Sequence, residues 1–184
     1  MTAATTRTAR ISLSPPRTLT LRLAGWYSRR TYGKLLEPAL VFAHHPRLLE
    51  RFNVLGGLFL AHGLVPARER ELVILRTGWR TRCEYEFGQH TVLGRRAGLD
   101  DDEIRRVTRE DARWPPGDAL LIRLADEVHE THDVSDALWQ ELGARWSHAE
   151  LLELVALAGF YGMVSALLNA ARVQREPGTP GWPD

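Results

Sequence analysis

Apolar side chains recur at a helical spacing along nearly the whole chain from about residue 21 onward. No segment shows the alternating pattern of a strand, and there is no internal repeat, so the predicted fold is all-α with a single domain. The predicted helices run from Pro46 to near Gly63, from Pro66 toward Arg82, from Cys83 to Ala97, from Asp100 through Val107, from Asp118 to His129, from Ala137 to Leu142, and from Ser147 to about Val173.

Residues suited to helix ends mark several of these boundaries. Gly98 is a natural left-handed cap for the helix that precedes it. Asp100 with Glu103, and Ser147 with Glu150, have the spacing of capping boxes. The helix after Ser147 is the most apolar of the set, which places it at the centre of the core or in a subunit interface.

The two ends of the chain differ from this helical stretch. Residues 1–20 are predicted to form a flexible arm and residues 176–184 a flexible tail, because both contain helix-breaking prolines. Residues 21–175 are the predicted domain. The Leu-Thr-Leu-Arg-Leu-Ala-Gly-Trp segment that follows the N-terminal stretch is too short and too charged for the core of a signal peptide. The Ser-rich, acid-poor start also fits an organelle transit peptide.

The bulk composition excludes several classes of protein. The 184 residues are 44% hydrophobic and 26% charged, and no run of 18 apolar residues is present, so no membrane span is predicted. Lys and Arg number 24 against 23 acids, which gives no general attraction to nucleic acid. Cys83 is the single cysteine, which excludes an intrachain disulfide and favours the reducing cytoplasm.

Three chemically useful side chains have the spacing of one helical stripe. Cys83, Glu86 and His90 fall within about 60° of one another on a helix. A thiol, a carboxylate and an imidazole in one place can shift one another's pKa values and exchange protons. His90 is the natural general acid or base, and a helix start favours the thiolate of Cys83. The spacing alone also fits a surface Glu–His pair beside a small core cysteine.

The same region resembles the carboxymuconolactone decarboxylase family, which includes the alkylhydroperoxidase-D-like proteins. The resemblance lies in Arg70-Glu71-Leu72, in Cys83-x-Tyr85-Glu86-x-x-x-His90, in Arg96-Ala97-Gly98-Leu99-x-x-x-Glu103-Ile104 and in Leu167-Leu168-Asn169-Ala170. It covers most of residues 40–175. The resemblance implies an AhpD-like helical bundle and a homo-oligomer, a trimer or a hexamer.

The family contains two kinds of chemistry. Alkylhydroperoxidase-D-like members reduce peroxides with a Cys-x-x-Cys pair, an upstream Glu and a downstream His. Glu71, Cys83 and His90 fall on three of those positions, but Glu86 replaces the second cysteine. A peroxidase cycle would therefore need an external resolving thiol. The Tyr-Glu-x-x-x-His arrangement is closer to the decarboxylase-like branch, which uses acid–base groups on a lactone or carbonyl substrate without a cofactor.

These observations predict a cofactor-independent enzyme with lyase-, decarboxylase- or isomerase-like chemistry on a small molecule. Two alternatives are a thiol peroxidase that uses Cys83 with an external thiol, and a non-catalytic helical binding scaffold. The predicted catalytic residues are Glu71, Cys83, Glu86 and His90, and the predicted substrate-binding residues are Tyr85, Trp79 and Arg82. No metal, membrane or nucleic-acid partner is predicted.

Two other kinds of site were weighed. Cys83, Glu86 and His90 are all possible zinc ligands, with His129 and His132 as further donors, but zinc sites rarely take three ligands from one helix at this spacing. Residues 93–104 imitate a helix-turn-helix. Their supposed recognition helix begins with four acids at residues 100–103, which would face a polyanion, so DNA binding is not predicted.

Overall fold

The computed structural model describes residues 9–183, apart from the side chains of residues 27, 31 and 32. Over these residues the chain is helical and has no strand, which confirms the all-α prediction. The helices are α1 (Leu19–Tyr32), α2 (Glu37–Phe42), α3 (Pro46–Gly57), α4 (Ala67–Arg80), α5 (Glu84–Arg96), α6 (Asp101–Arg106), α7 (Pro116–Thr131), α8 (Asp136–Gly143) and α9 (His148–Ala171). A turn of π-helix, Leu58–His62, follows α3 and is called the π-turn below.

The predicted helix from Pro46 to near Gly63 is divided in two. Its α-helical part ends at Gly57, and the π-turn continues from Leu58. Adjacent glycines at 56 and 57 weaken the α-helix at that point, since glycine has a low helix propensity. Short π-helical insertions of this kind are often found near functional sites.

α4 lies at the centre of the molecule and packs against α5, α7 and α9. Residues 71–78 of α4 are all buried, so this helix is enclosed by the rest of the protein on nearly every side. α9 is long and apolar enough to cross a membrane by length and composition alone, but half of its most apolar stretch is buried inside the protein. The core position of α9 accounts for its apolar sequence equally well.

A buried arginine connects α4 to α7. Arg76 is only 1% exposed, and its guanidinium donates to both carboxylate oxygens of Asp126, at 2.6 and 2.8 Å. It also donates to Glu110 at 2.7 Å and to the backbone oxygen of Val107 at 2.7 Å. This arginine therefore joins α4, α7 and the segment after α6 through one hydrogen-bonded centre.

Both ends of the described chain pack on the domain. In the predicted arm, the backbone N–H of Arg10 donates to Ala171 O at 2.9 Å, while residues 1–8 lie outside the described residues. In the predicted tail, Glu176 accepts hydrogen bonds from α5, and the Trp182 ring lies 5.0 Å from the Phe87 ring. The prediction of a flexible arm and a flexible tail does not anticipate these contacts.

Candidate active site

His90 lies between two carboxylates. Its Nδ1 donates to Glu71 Oε2 across 2.6 Å, and its Nε2 lies 3.1 Å from Glu86 Oε1. Glu86 and His90 are four residues apart on α5 and therefore share one face of that helix. All three side chains are buried. The imidazole thus has a carboxylate partner at each of its ring nitrogens.

Small residues bring Glu71 of α4 close to His90 of α5. A Cβ on Gly94 would lie 3.4 Å from the Leu75 side chain and 3.8 Å from Glu71 Cβ. A Cβ on Gly78 would lie 3.4 Å from the Phe87 backbone nitrogen. Because these two glycines carry no side chain, the two helices can approach closely enough for the Glu71–His90 hydrogen bond.

Arg70 fixes the orientation of Glu71. Its Nε and Nη2 donate to Glu71 Oε1 at 3.0 and 2.8 Å, which leaves Oε2 for His90. Its Nη1 reaches the carbonyl oxygens of Phe59 and Leu60 in the π-turn, at 3.4 and 3.5 Å. No site role was predicted for Arg70, although its position beside Glu71 in the Arg-Glu-Leu motif could have indicated one.

These neighbours set the charge of His90. Burial alone would lower the pKa of His90, but the carboxylates of Glu71 and then Glu86 outweigh it and raise the pKa from 6.5 to about 9. Burial would likewise raise the pKa of Glu71, yet His90 and Arg70 lower it. At neutral pH the centre is therefore an imidazolium held between carboxylates.

A cavity of about 160 Å³ opens onto this centre. Glu86 and His90 form part of its wall, and the Tyr161 ring, which also lines it, meets the His90 ring edge-on at 4.9 Å. Asn53, an exposed residue of α3, lines the outer end. Apolar side chains from α2, α3, the π-turn and α9 complete the wall, among them Phe42, Leu49, Phe52, Leu60, Phe160 and Val164.

The other predicted site residues divide into two groups. Tyr85 lines the cavity, while its hydroxyl donates to Glu176 at 2.7 Å. Glu71 lies behind His90 and does not line the cavity. Trp79 packs edge-on against Trp182 at 5.2 Å, and Arg82 is an exposed turn residue with φ of 53°. The structure therefore places Trp79 and Arg82 away from the cavity that contains Glu86 and His90.

Cys83 differs most from its prediction. It is the N-cap of α5, is 1% exposed and does not line the cavity. Burial, with a smaller contribution from the Glu86 charge, raises the pKa of the thiol to about 12. The prediction that the helix start favours the thiolate is wrong for Cys83, because desolvation of the thiol has the larger influence on its pKa.

We therefore expect Cys83 to be unreactive in the folded protein. At pH 7.5 the thiolate is a very small fraction of a thiol whose pKa is about 12, and a 1% exposed sulfur is shielded from reagents. An aromatic disulfide reagent should label the native protein at least about 100-fold more slowly than glutathione, and the urea-unfolded protein at the rate of a free thiol. Equal rates in the native and unfolded protein would contradict this expectation.

The two further histidines of the zinc alternative and the helix-turn-helix-like segment lie outside this cavity. His129 and His132 are exposed at the C-terminal end of α7, and neither lines the cavity. The segment that imitated a helix-turn-helix forms the end of α5 and the start of α6. Its acids are engaged locally, since Asp101 accepts from Arg95 at 2.7 Å and Asp102 from Arg105 at 3.1 Å.

Comparison with known proteins agrees with this description. The fold is all-helical and alkylhydroperoxidase-D-like. The sequence profile of the carboxymuconolactone decarboxylase family matches residues 46–121, which confirms the predicted resemblance over that segment. The segment contains α3, α4 and α5, and with them Glu71, Cys83, Glu86 and His90. No curated protein gives a significant match.

Solved structures show the same fold at low sequence identity. An uncharacterized peroxidase-related protein from Silicibacter sp. TM1040 superposes with a TM-score of 0.82 at 11% identity, over 97% of this chain and 96% of that one. A peroxidase-related protein with an alkylhydroperoxidase AhpD core from Ralstonia eutropha JMP134 gives 0.79 at 20% identity, over 92% and 95%. The debrominase Bmp8, as a Cys-to-Ala variant in complex with 2,3,4-tribromopyrrole, gives 0.73 at 14% identity, over 92% and 95%.

Proposed function

We propose that this protein is a cofactor-independent enzyme that moves protons on a small carbonyl- or lactone-type substrate. One observation supports this proposal above the others. His90 is held between Glu71 and Glu86, and both Glu86 and His90 face an otherwise largely apolar cavity. A carboxylate beside an imidazolium supplies a base and an acid at one point, which is what general acid–base catalysis needs.

The proton cycle follows from the two contacts of His90. Glu86 takes a proton from the carbon next to the substrate carbonyl, and His90 gives a proton to the oxygen or carbon that becomes negative. The proton on Glu86 then returns to His90 through the 3.1 Å contact between Glu86 Oε1 and Nε2, so the enzyme ends as it began. Glu71 and Arg70 are positioning residues, because they hold the imidazole without reaching the cavity.

The geometry supports acid–base chemistry over the thiol peroxidase alternative. The Cys83 sulfur is buried outside the cavity wall, and its raised pKa disfavours the nucleophilic thiolate. The debrominase neighbour binds a small halogenated ring. A ring-sized ligand on the same fold agrees with a small-molecule cavity in this chain.

A homo-oligomer, as a trimer or a hexamer, and a cytoplasmic location stay predictions. α1 exposes Leu19, Leu23 and Trp26 to 60% or more, an apolar surface that a second copy of the chain can cover. Sedimentation of the purified protein would give the number of subunits.

The proposal is tested by proton exchange into deuterated water. A panel of small ketones and lactones is incubated with the protein, and loss of the α-proton signal is followed by NMR. Glu86→Gln should lower the protein-catalysed exchange rate by at least about 100-fold, since the amide cannot accept the proton. Glu84→Gln is the matched control on the same helix, because Glu84 pairs with Arg175 outside the cavity and should leave the rate unchanged. Equal rates in the wild type and the Glu86→Gln variant would contradict the proposal.

A further inference from the structure

We infer that the cavity binds an uncharged ligand of about one ring and rejects carboxylates, so that its reaction is a proton transfer on a neutral carbonyl compound and not a decarboxylation. The class of ligand is inferred from the cavity wall alone. The exclusion of decarboxylation rests in addition on the proposed function.

The charges of the cavity wall are already balanced. Among the described residues that line it, Glu86 and His90 are the only ones with a formal charge at neutral pH, and they neutralise each other at 3.1 Å. Two cations bonded to neighbours of the wall residues are themselves paired with acids. Arg70 holds Glu71 at 2.8 Å, and Lys34 lies 3.6 Å from Glu176. An incoming anion would therefore meet no arginine or lysine on the wall.

Three of the hydrogen-bonding side chains on the wall are committed as well. The Tyr85 hydroxyl donates to Glu176, and Gln89 Nε2 lies 2.7 Å from Glu176 and 3.3 Å from the Tyr85 hydroxyl. The Ser28 hydroxyl donates to Lys34 O at 2.8 Å and accepts from the Leu36 N–H at 3.0 Å. A carboxylate would have to displace these bonds to use Tyr85, Gln89 or Ser28 as donors, while a neutral carbonyl needs only one partner at the Glu86–His90 edge.

The size and composition of the cavity suit one ring. Its volume of about 160 Å³ is close to that of apolar protein cavities that hold a single benzene. The rings of Phe42, Phe52, Phe160 and Tyr161 all face it. Aromatic walls favour a flat apolar ligand, since rings pack edge-on or offset against one another.

Two effects would oppose the binding of a carboxylate substrate in this cavity. It would lose its hydration without gaining a cation other than His90, which is already held between Glu71 and Glu86, and it would lie beside the carboxylate of Glu86. A decarboxylase must bind its substrate as such an anion. The same wall accepts a neutral ketone or lactone, whose oxygen can take a hydrogen bond from His90 when the α-carbon lies near Glu86.

Three flat compounds of the same heavy-atom count separate charge from shape: acetophenone, benzamide and benzoate. Binding at pH 7.5 is measured by ligand-observed NMR and by calorimetry on the full chain. We expect acetophenone and benzamide to bind and benzoate to bind at least about 100-fold more weakly. In Glu86→Gln, which removes the opposing carboxylate, benzoate should gain about 10-fold or more in affinity, whereas Glu84→Gln should not change it.

Benzoate binding as tightly as acetophenone, or no binding of either neutral compound, would overturn the inference. Unchanged benzoate affinity in Glu86→Gln would also overturn it, because Glu86 would then not be the group that rejects the anion. The proposed function fails separately. Acetophenone has exchangeable α-protons, so tight binding without protein-catalysed deuteration would keep the ligand class and refute the proton-transfer activity.

Discussion

Replacing His90 by glutamine is expected to lower the protein-catalysed proton exchange rate by about 10²- to 10⁴-fold. Glutamine fills a similar volume and can still hydrogen-bond, but it carries no charge and cannot return a proton. Glu71→Gln should have a smaller effect, about 10- to 100-fold, because Glu71 acts on the substrate only through His90. Initial rates with the best ketone or lactone of the exchange panel give both values.

The pH dependence of the same rate provides a second readout. The His90 pKa of about 9 means that the imidazolium is present below that pH and is lost above it. The wild-type rate should therefore fall as pH rises through about 9. His129→Gln is the matched control, since that exposed histidine lies at the end of α7, away from the cavity. A wild-type rate that is maintained well above pH 9, or a His90→Gln rate equal to that of the control, would contradict the role of His90.

Arg76→Met is expected to destabilise the fold by about 3–5 kcal/mol. Methionine fits the apolar surroundings of α4 but leaves the Asp126 carboxylate and the Val107 carbonyl without the partner that now lies 2.6–2.8 Å away. In the variant the Asp126 carboxylate keeps only the 3.5 Å contact to Arg80, and a carboxylate that loses its main partner at a helix interface is costly. The free energy of unfolding from urea titration measures the loss.

Arg80→Met supplies the comparison for Arg76. Arg80 lies one helical turn further along α4 and pairs with Glu110, Asp126 and Glu130, two of which are largely exposed. Pairs of that kind contribute about 0–1 kcal/mol, so this variant should unfold close to the wild type. Similar losses in the free energy of unfolding for the two variants would show that Arg76 is not the residue that joins α4 to α7.

The helical periodicity predicted the architecture but only part of the site. Glu86 and His90 share a face of α5 as the spacing indicated. Cys83 does not line the cavity with them; it is the N-cap, with φ of −95° and ψ of 88°, and so lies outside the regular helix. The rule of about 100° per residue holds only inside a helix.

Contacts between distant parts of the chain could not be predicted from spacing. The Glu71–His90 hydrogen bond joins two helices, and only the family resemblance indicated it. The burial of Arg76 could have been predicted from the sequence, since it follows the apolar run at residues 72–75, where a solvated arginine is unexpected. The tail was predicted to be flexible from its prolines, yet Glu176 and Trp182 attach it to α5.

The proposed function depends on the charge of His90, and ¹⁵N NMR of the imidazole measures that charge directly. Protein labelled at the histidine ring nitrogens is titrated from pH 6 to pH 10, with His90→Gln used to assign the signal. Both ring nitrogens of His90 should carry protons at pH 7.5, and one of these protons should be lost near pH 9. A neutral His90 ring at pH 7.5, with one unprotonated nitrogen, would contradict this prediction.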